Sequence, residues 1–246
     1  MDISGTTILI TGAGTGIGRA SAQLFAERGA ARLILVDIDG GALGETAGQA
    51  RSAGAEVIEH IVDLSQPEHV IELFAWADAA APEGIDVVFN NAGIMTGSPD
   101  FPDTDVKKMV ALININLTAM MIGTRLGIEQ MRQRGKKGVI LNTSSIAAFG
   151  PMPADPAYAV SKVGVLRLVE SCEPIAERFG IRVMAICPGI TDTAIVPQDA
   201  EWLQPMLQTV KILQPRDIAE AACRIVEDES YHATHLTVEN EAVEAA

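Results

Sequence analysis

Short apolar runs alternate along the chain with longer stretches in which apolar residues recur at helical spacing. The runs have the length of strands, and several are apolar throughout, which is typical of parallel strands covered by helices on both faces. This pattern predicts seven strands, at residues 7–11, 32–36, 56–62, 86–90, 138–142, 181–187 and 235–238.

The longer stretches between these strands have the length of helices. They are residues 16–28, 42–53, 67–80, 105–134, 157–179 and 215–227. Strands and helices that alternate in this way predict an α/β Rossmann fold, with a doubly wound parallel sheet of about seven strands. No linker or internal repeat divides the chain, so we expect residues 1–246 to form a single domain. Residues 239–246, ENEAVEAA, are expected to be a short acidic tail that frays or packs on a neighbour.

The composition and charge of the chain argue against two classes of binding partner. Hydrophobic residues make up 48% of the chain, and the formal net charge is −14. We therefore expect no binding to nucleic acid or to an anionic membrane surface, because both need clustered Lys and Arg. The first residues enter a strand directly and no run of 18 apolar residues occurs, so we expect neither a leader peptide nor a transmembrane helix.

The cysteines and histidines give no metal-binding pattern. Cys172, Cys187 and Cys223 are odd in number and far apart, and the four histidines are scattered. No C-x-x-C or other metal-ligand spacing occurs. We therefore expect no bound metal, and free thiols in a reducing, cytoplasmic compartment.

A glycine-rich stretch, TGAGTGIG at residues 11–18, joins the first predicted strand to the first predicted helix. Glycines let the backbone turn sharply and approach a pyrophosphate, whose charge suits a helix N-terminus. Asp37 ends the next strand 19 residues after Gly18, where a carboxylate can bind both hydroxyls of an adenosine ribose and repels a 2′-phosphate. Ile38 follows, and Thr15 stands where a phosphate-binding base could lie, so NAD is favoured over NADP.

The glycine spacing and three further motifs resemble those of the classical short-chain dehydrogenases/reductases. The spacing is G-x-x-x-G-x-G, and the other motifs are DL at 63–64, NNAG at 90–93 and PGITDT at 188–193. They occur in the family's order over nearly the whole chain. The resemblance implies a cofactor site formed by Gly12, Thr15, Gly16, Ile17, Gly18, Asp37, Asp63, Leu64, Asn90, Ala92, Tyr158, Lys162, Pro188, Ile190 and Thr193.

The resemblance also implies roles for individual cofactor residues. Asp63 would hold the adenine amino group, and Ile190 would offer its backbone to the nicotinamide carboxamide. Asn90 and Ala92 would border the adenosine ribose, whereas Asn91 would brace the sheet.

Tyr158 and Lys162 form Y-x-x-x-K, the spacing that places two side chains on one face of a helix. A phenol with a pKa near 10 is a poor base at neutral pH, but a nearby cation and a positive nicotinamide favour the phenolate. The pair therefore predicts a general base for alcohol oxidation or a general acid for ketone reduction. Taken alone, the same spacing is common on ordinary helix surfaces.

Two further catalytic candidates come from the resemblance. Ser145 lies 13 residues before Tyr158, which is the family's spacing between its catalytic Ser and Tyr, and Ser144 is the alternative. Asn116 in NINLTAM matches the family's catalytic Asn, with Asn114 as the alternative. The implied catalytic set is Asn116, Ser145, Tyr158 and Lys162.

Residues 194–214 follow the PG motif, and the corresponding segment of the family closes over substrate. Apolar residues at 202–210 lie on one helical face, where they either line the pocket or dock on the domain. The pocket is expected to be mainly apolar. The substrate-binding candidates are Met95, Ser145, Ile146, Asp155, Trp202 and Met206.

Several stretches, among them AICPGITDTAIV and KILQPRDIAEAACRIVEDE, resemble the 15-hydroxyprostaglandin dehydrogenase-like branch of this family. That branch oxidises secondary alcohols on lipids with NAD, which implies a hydrophobic secondary alcohol as substrate. The branch places Gln three residues before its catalytic Tyr, where this chain has Asp155. The identity of the substrate therefore does not carry over.

These observations predict NAD-dependent oxidation of a secondary alcohol to a ketone, with Tyr158 taking the hydroxyl proton. The proton would leave through Lys162 and a water held by Asn116. NADH-dependent ketone reduction at the same site is the alternative, since the sequence does not set the direction. A third possibility is a non-catalytic NAD-binding regulator, which the complete catalytic set argues against. The resemblance also implies a homodimer or homotetramer, formed through the fourth and fifth long helices.

Overall fold

Seven strands form one sheet in the order β3-β2-β1-β4-β5-β6-β7, and every neighbouring pair is parallel. This computed structural model describes residues 1–197, 199–231 and 234–243. The predicted doubly wound parallel sheet is therefore confirmed. The strands are β1 (Thr7–Thr11), β2 (Arg32–Asp37), β3 (Glu56–Ile61), β4 (Val87–Asn90), β5 (Gly138–Thr143), β6 (Ile181–Pro188) and β7 (His235–Val238).

Helices lie between the strands, and two of the predicted helices are divided. A π-helical turn, Asn114–Ala119, interrupts the fourth, and the predicted helix 157–179 ends its first part at Ser171. The α-helices are α1 (Gly16–Glu27), α2 (Gly40–Ser52), α3 (Pro67–Ala80), α4 (Val106–Ile113), α5 (Met120–Gln133), α6 (Pro156–Ser171), α7 (Glu173–Phe179), α8 (Gln204–Leu207) and α9 (Pro215–Glu227).

The apolar core forms two layers, one on each face of the sheet. In β1, Ile8 and Ile10 pack into one layer and Leu9 into the other, because successive side chains of a strand point to opposite faces. Helices α1, α2 and α9 contribute to the first layer, and α3, α5 and α6 to the second. Burial on both faces explains why the central strands are apolar throughout.

The order of the strands reverses beside β1, which pairs with β2 on one side and with β4 on the other. Open α/β sheets bind ligands in the crevice beyond the carboxyl ends of the strands at such a switch point. The glycine-rich stretch follows β1 and Asn91 follows β4, so both lie at this crevice.

Together, α4, the π-helical turn and α5 form one helix, Val106–Gln133, long and apolar enough by length and composition to cross a membrane. Core helices of folded proteins meet the same criterion. Here α5 contacts α3, β4 and β5, and the π-helical turn contacts α6. The expectation of no transmembrane helix needs this qualification, because it considered only uninterrupted apolar runs.

The C-terminal residues are more ordered than expected of a frayed tail. Val210 and Ala242 form an antiparallel bridge, and the Lys211 amide donates to the Glu241 carbonyl oxygen at 2.8 Å. The Val243 amide donates to the Thr209 carbonyl oxygen at 2.9 Å. Residues 239–243 thus pack on their own chain, while residues 244–246 lie outside the described part.

Candidate active site

A cavity of about 710 Å³ opens at the carboxyl ends of the strands and extends from β3 to β6. Its walls contain the glycine-rich stretch, the residues after β5, the start of α6 and the segment after β6. Most of the candidate cofactor and catalytic residues therefore line one space, although they are far apart in the sequence; Gly18, Asn90 and Asn116 lie outside its lining.

The glycine positions of this stretch have no room for a side chain. A Cβ atom added to Gly18 would lie 1.9 Å from the Gly12 carbonyl oxygen, and one added to Gly12 would lie 2.8 Å from the Ala92 Cα. Gly16 has a φ of +52°, and a Cβ there would lie 3.0 Å from the Thr193 Cγ2. The backbone can thus come close to a pyrophosphate at the N-terminus of α1, so the stretch fits a dinucleotide.

Asp37 lines the cavity at the end of β2, as the sequence predicts. Its Oδ2 accepts a hydrogen bond from the Gly14 amide at 2.7 Å, and its Oδ1 accepts one from the Asp39 amide at 3.1 Å. These bonds fix the carboxylate and leave further lone pairs for ribose hydroxyls. Ile38 beside it is 66% exposed and brings no positive charge.

The predicted adenine residues, Asp63 and Leu64, also line the cavity. Asp63 accepts hydrogen bonds from the Ser65 amide at 2.8 Å and from the Ser65 hydroxyl at 2.9 Å. The turn after β3 therefore holds the Asp63 carboxylate in place. Thr15 and Ile17 line the same cavity.

Of the two asparagines of NNAG, Asn90 departs from its expected position, whereas Asn91 is bonded to the end of β1. Asn90 is buried and its Nδ2 donates to the Asn142 Oδ1 at 3.0 Å, so its side chain lies between β4 and β5 outside the cavity wall. Asn91 lines the cavity, and its Nδ2 donates to the Thr11 carbonyl oxygen at 3.1 Å. The expectation that the Asn90 side chain borders the ribose is corrected, while Ala92 does line the cavity.

The PG motif after β6 also lines the cavity, with Pro188, Ile190 and Thr193. The Ile190 backbone, however, is already bonded: its amide donates to the Asn240 Oδ1 at 2.7 Å, and its carbonyl oxygen accepts from the Asn240 Nδ2 at 2.7 Å. This corrects the expectation that Ile190 offers its backbone to nicotinamide. Asn240 escaped prediction because it lies in a tail that carries no recognised motif.

Tyr158 lies in the first turn of α6, and Lys162 follows one turn later. The Lys162 Nζ is buried, lies 5.4 Å from the centroid of the Tyr158 ring, and donates to the Thr143 carbonyl oxygen at 2.9 Å. The Ser145 side chain lies close enough to the Tyr158 phenol to lower the pKa of that phenol. Ser144 instead donates to the Lys162 carbonyl oxygen at 2.8 Å, so the geometry favours Ser145 as the serine that faces substrate.

The pKa values of this pair differ from the simple expectation. Burial raises the pKa of Tyr158 to about 12, against the lowering effect of the Ser145 side chain, and the charge of Asp155 raises it further. Burial also lowers the pKa of Lys162 to about 8. The protein's own groups therefore keep the phenol protonated at neutral pH, because desolvation of the phenolate outweighs the lowering effect of Ser145.

Asn116 lies in the π-helical turn and is completely buried. Its Oδ1 accepts from the Ile94 amide and its Nδ2 donates to the Ile94 carbonyl oxygen, both at 2.8 Å. A Cβ added to Gly93 would lie 3.5 Å from both the Asn116 Oδ1 and the Lys162 Nζ, so these two polar atoms face the same small space. Asn114 points elsewhere and donates to the Ser65 carbonyl oxygen at 3.0 Å.

Most of the predicted substrate residues line the cavity, namely Met95, Ser145, Ile146, Trp202 and Met206. Asp155 does not. It is 3% exposed, and its two carboxylate oxygens accept from the Tyr158 amide at 3.1 Å and from the Thr96 amide at 2.8 Å. Asp155 is therefore the N-cap of α6 and a tie to the loop after β4, which corrects its assignment to substrate binding.

A dinucleotide-binding sheet with a Ser-Tyr-Lys group at its switch point defines the class of this protein. The family model for short chain dehydrogenase matches residues 6–204, and the chain belongs to this family. The likeness to the 15-hydroxyprostaglandin dehydrogenase-like branch stays a prediction.

Curated relatives agree with this assignment. The chain is 30% identical to a 2,5-dichloro-2,5-cyclohexadiene-1,4-diol dehydrogenase of Sphingobium indicum, over 95% of this chain and 94% of that one. It is 31% identical to 3beta-hydroxysteroid dehydrogenase 1 of Eggerthella lenta, over 96% and 92%. The oxidoreductase EphD of Mycobacterium tuberculosis is 34% identical over 78% of this chain, which spans only 32% of EphD.

Solved structures share the fold. A short-chain type dehydrogenase/reductase from Mycobacterium marinum superposes with a TM-score of 0.86 at 24% identity, covering 97% of this chain and 95% of that one. Levodione reductase superposes with a TM-score of 0.84 at 27% identity, covering 96% and 95%.

Proposed function

We propose that this protein oxidises an apolar secondary alcohol to a ketone with NAD. One observation carries the proposal: a single cavity is lined both by the glycine-rich stretch with Asp37 and by the side chains of Ser145 and Tyr158 beside Lys162. Bound NAD would supply the hydride acceptor at this site.

The protein's residues would position the alcohol and remove its proton. The Ser145 hydroxyl would hold the substrate oxygen next to the Tyr158 phenol, and the Tyr158 oxygen would take the hydroxyl proton. The Lys162 Nζ and the Asn116 Oδ1 face the same space behind Tyr158, which supports a path for that proton toward solvent. Ketone reduction is the reverse of this step, with the neutral phenol as the acid.

Charge supports both the choice of cofactor and the class of substrate. Among the described residues that line the cavity, Lys162 is the only Lys or Arg. Its Nζ is buried beside Tyr158, so it is not placed to bind a 2′-phosphate or an acidic substrate. Asp37 would repel a 2′-phosphate and bind ribose hydroxyls. NAD and an uncharged alcohol fit this distribution of charge.

The backbone amide that faces nicotinamide would be that of Thr191. The Ile190 amide is bonded to Asn240, whereas the Thr191 amide has no partner among the described residues and Thr191 lines the cavity. We therefore assign to Thr191 the contact that the resemblance placed at Ile190.

The names of the relatives support an alcohol on an apolar skeleton. Two are named for hydroxyl groups on a cyclohexadiene and on a steroid. Levodione reductase is named for reduction, which keeps the reverse direction as the second candidate.

A homodimer or homotetramer in the cytoplasm completes the proposal. The apolar side chains of Val110, Met121 and Val163 are 44% to 54% exposed on α4, α5 and α6. These are the helices through which the resemblance implies assembly. Sedimentation at low micromolar concentration would test it.

The enzymatic proposal is tested by a panel of secondary alcohols with NAD and NADP, followed by NADH or NADPH absorbance. In Tyr158→Phe, we expect kcat to fall by about a thousandfold, because the general base is lost, while the Kd for NADH changes less than about twofold. Tyr231→Phe is the matched control, because Tyr231 is the other tyrosine and its hydroxyl donates to the His235 carbonyl oxygen outside the cavity. Full turnover of Tyr158→Phe would contradict the mechanism, and a higher kcat/KM with NADP would contradict the cofactor.

A further inference from the structure

Asn240, just after β7, makes three hydrogen bonds to two segments of the cavity wall. Its Oδ1 accepts from the Ile190 amide at 2.7 Å, and its Nδ2 donates to the carbonyl oxygens of Ile190 at 2.7 Å and of Lys211 at 2.9 Å. Both hydrogens of the Nδ2 and the Oδ1 are therefore bonded to the loop after β6 and to the segment that follows it.

The loop after β6 is shaped to receive this side chain. A Cβ added to Gly189 would lie only 2.2 Å from the Asn240 Oδ1, so a larger residue at 189 would displace Asn240. The Gly189 amide also donates to the Val238 carbonyl oxygen at 2.8 Å, which places the start of the loop beside the end of β7.

The bonds of Ile190 determine which amide of the loop faces the cavity. Thr191 and Leu213 form a parallel bridge, in which the Leu213 amide donates to the Ile190 carbonyl oxygen and the Asp192 amide donates to the Leu213 carbonyl oxygen. Backbone groups alternate in direction along such an extended stretch, so the Thr191 amide points away from Leu213. Thr191 lines the cavity, and no described backbone or side-chain group accepts a hydrogen bond from its amide, so this amide is available to a ligand there.

The same C-terminal residues hold the proposed substrate-covering segment. Backbone bonds join Lys211 to Glu241 and Thr209 to Val243, a few residues after Trp202 and Met206 on the cavity wall. Residues 239–243 thus form a strap across the outside of this segment. We use the name C-terminal strap for residues 239–243.

We propose that Asn240 is a positioning residue of the active site, which holds the Ile190 backbone so that the Thr191 amide faces the nicotinamide and keeps the covering segment closed through Lys211. The inference rests on the proposed function for its cofactor, but not for its effect on the covering segment. Asn240 itself touches neither substrate nor cofactor in this scheme.

Two variants and one control test the inference. Asn240→Ala removes all three hydrogen bonds. Asn240→Asp preserves the volume and the acceptor for the Ile190 amide, but it places a carboxylate against the carbonyl oxygens of Ile190 and Lys211. The matched control is Glu239→Gln, because Glu239 is exposed and its side chain makes no hydrogen bond or ion pair among the described residues.

The first measurement needs no cofactor: the rate of limited tryptic cleavage after Lys211. We expect about a tenfold faster cleavage in both Asn240 variants, because the segment opens more often when about one hydrogen bond's worth of stability is lost, and no change in Glu239→Gln. The second measurement separates KM from kcat. We expect the KM for NAD and the Kd for NADH to rise about tenfold while kcat falls less than about threefold, since Ser145, Tyr158 and Lys162 do not contact Asn240.

The Asp variant distinguishes positioning from simple filling of space. If Asn240 only filled volume, Asn240→Asp would behave like the wild-type protein, which would overturn the inference. Should Asn240→Ala fail to fold, Asn240→Asp carries the test. Failure of the proposed function gives a different result, because wild-type protein would then not bind NADH, while cleavage after Lys211 would still respond to Asn240.

Discussion

Backbone atoms form the cofactor end of the cavity, whereas side chains form its substrate end. At the cofactor end, Gly18 packs against the backbone of Gly12, and Gly12 packs against the backbone of Ala92, where the chain leaves β1 and β4. At the substrate end, side chains of Trp202 and Met206 line the cavity from a segment that contains only one short helix. The first end depends on the absence of side chains, and the second on their presence.

The ends also differ in what holds them. The glycine-rich stretch is continuous with β1 and α1, whereas the segment that carries Trp202 and Met206 is bonded at Lys211 to Asn240, 29 residues further along the chain. This difference predicts that substitutions at the cofactor end lower both cofactor binding and stability. Substitutions at the substrate end are expected to change the affinity for ligands and the selectivity among substrates.

The sharpest test of this comparison is Gly18→Ala. The added Cβ would lie 1.9 Å from the Gly12 carbonyl oxygen, so the stretch must move away from the path of the pyrophosphate. We expect loss of NADH binding by at least about a hundredfold and a lower melting temperature, as for other overpacked sites. Isothermal titration with NADH and thermal unfolding measure these effects.

Gly48→Ala is the matched control, since Gly48 lies in α2 and a Cβ there meets nothing within 4 Å. Replacing a helical Gly with Ala stabilises a protein by up to about 1 kcal/mol. A small rise in melting temperature with unchanged NADH binding is therefore expected. Equal NADH affinity in Gly18→Ala and Gly48→Ala would refute the view that close backbone contact builds the cofactor end.

Between the two ends, the reaction itself is expected to depend on pH. The pKa of Tyr158 is raised to about 12, so at neutral pH the phenol is neutral and only a small fraction can act as base. The phenolate fraction grows about tenfold per pH unit below this pKa, so kcat/KM for alcohol oxidation should rise about a hundredfold from about pH 6 to about pH 8. The rise should flatten above about pH 8, where Lys162 loses the charge that favours phenolate.

The opposite direction supplies the control for the pH prediction. Ketone reduction uses the neutral phenol, which is the predominant form below the pKa of Tyr158, so its kcat/KM should not rise with pH. Initial rates in both directions across this range decide the matter. Oxidation that is independent of pH would contradict Tyr158 as the base.

The features that the sequence could predict are those that depend on local motifs, whereas the features that depend on contacts between distant segments were not predicted. The sheet, the glycine-rich stretch, Asp37 and the Ser145-Tyr158-Lys162 group rest on local motifs attached to strands and helices, and the structure brings them to one cavity. Asn240 and the C-terminal strap were missed, because their partners lie about 30 to 50 residues away and no local pattern marks them. Burial, which raises the pKa of Tyr158, is not marked by a local motif either, because it depends on the whole fold.

Asp155 was singled out from the sequence, but the role that the sequence suggested for it was wrong. It differs from the Gln of the 15-hydroxyprostaglandin dehydrogenase-like branch, and so it was expected to select substrate. The structure instead joins it to the amides of Tyr158 and Thr96. It therefore belongs with the scaffold beneath the catalytic tyrosine, not with the substrate end.

The smallest effects are expected for substitutions of Asp155. Asp155→Ala removes the acceptors for both amides and should lower the free energy of unfolding by about 1–2 kcal/mol, the usual value of a lost N-cap. Asp155→Ser keeps an oxygen for the Tyr158 amide but is too short to reach Thr96 as well, so it should retain about half of that stability. Urea unfolding measures the free energy of unfolding of each variant.

Because Asp155 lies outside the cavity wall, relative kcat/KM values across the alcohol panel should stay within about twofold in Asp155→Ala, Asp155→Ser and Asp155→Gln. If the variants instead changed the order of preference among the alcohols at unchanged stability, Asp155 would have a role in binding substrate.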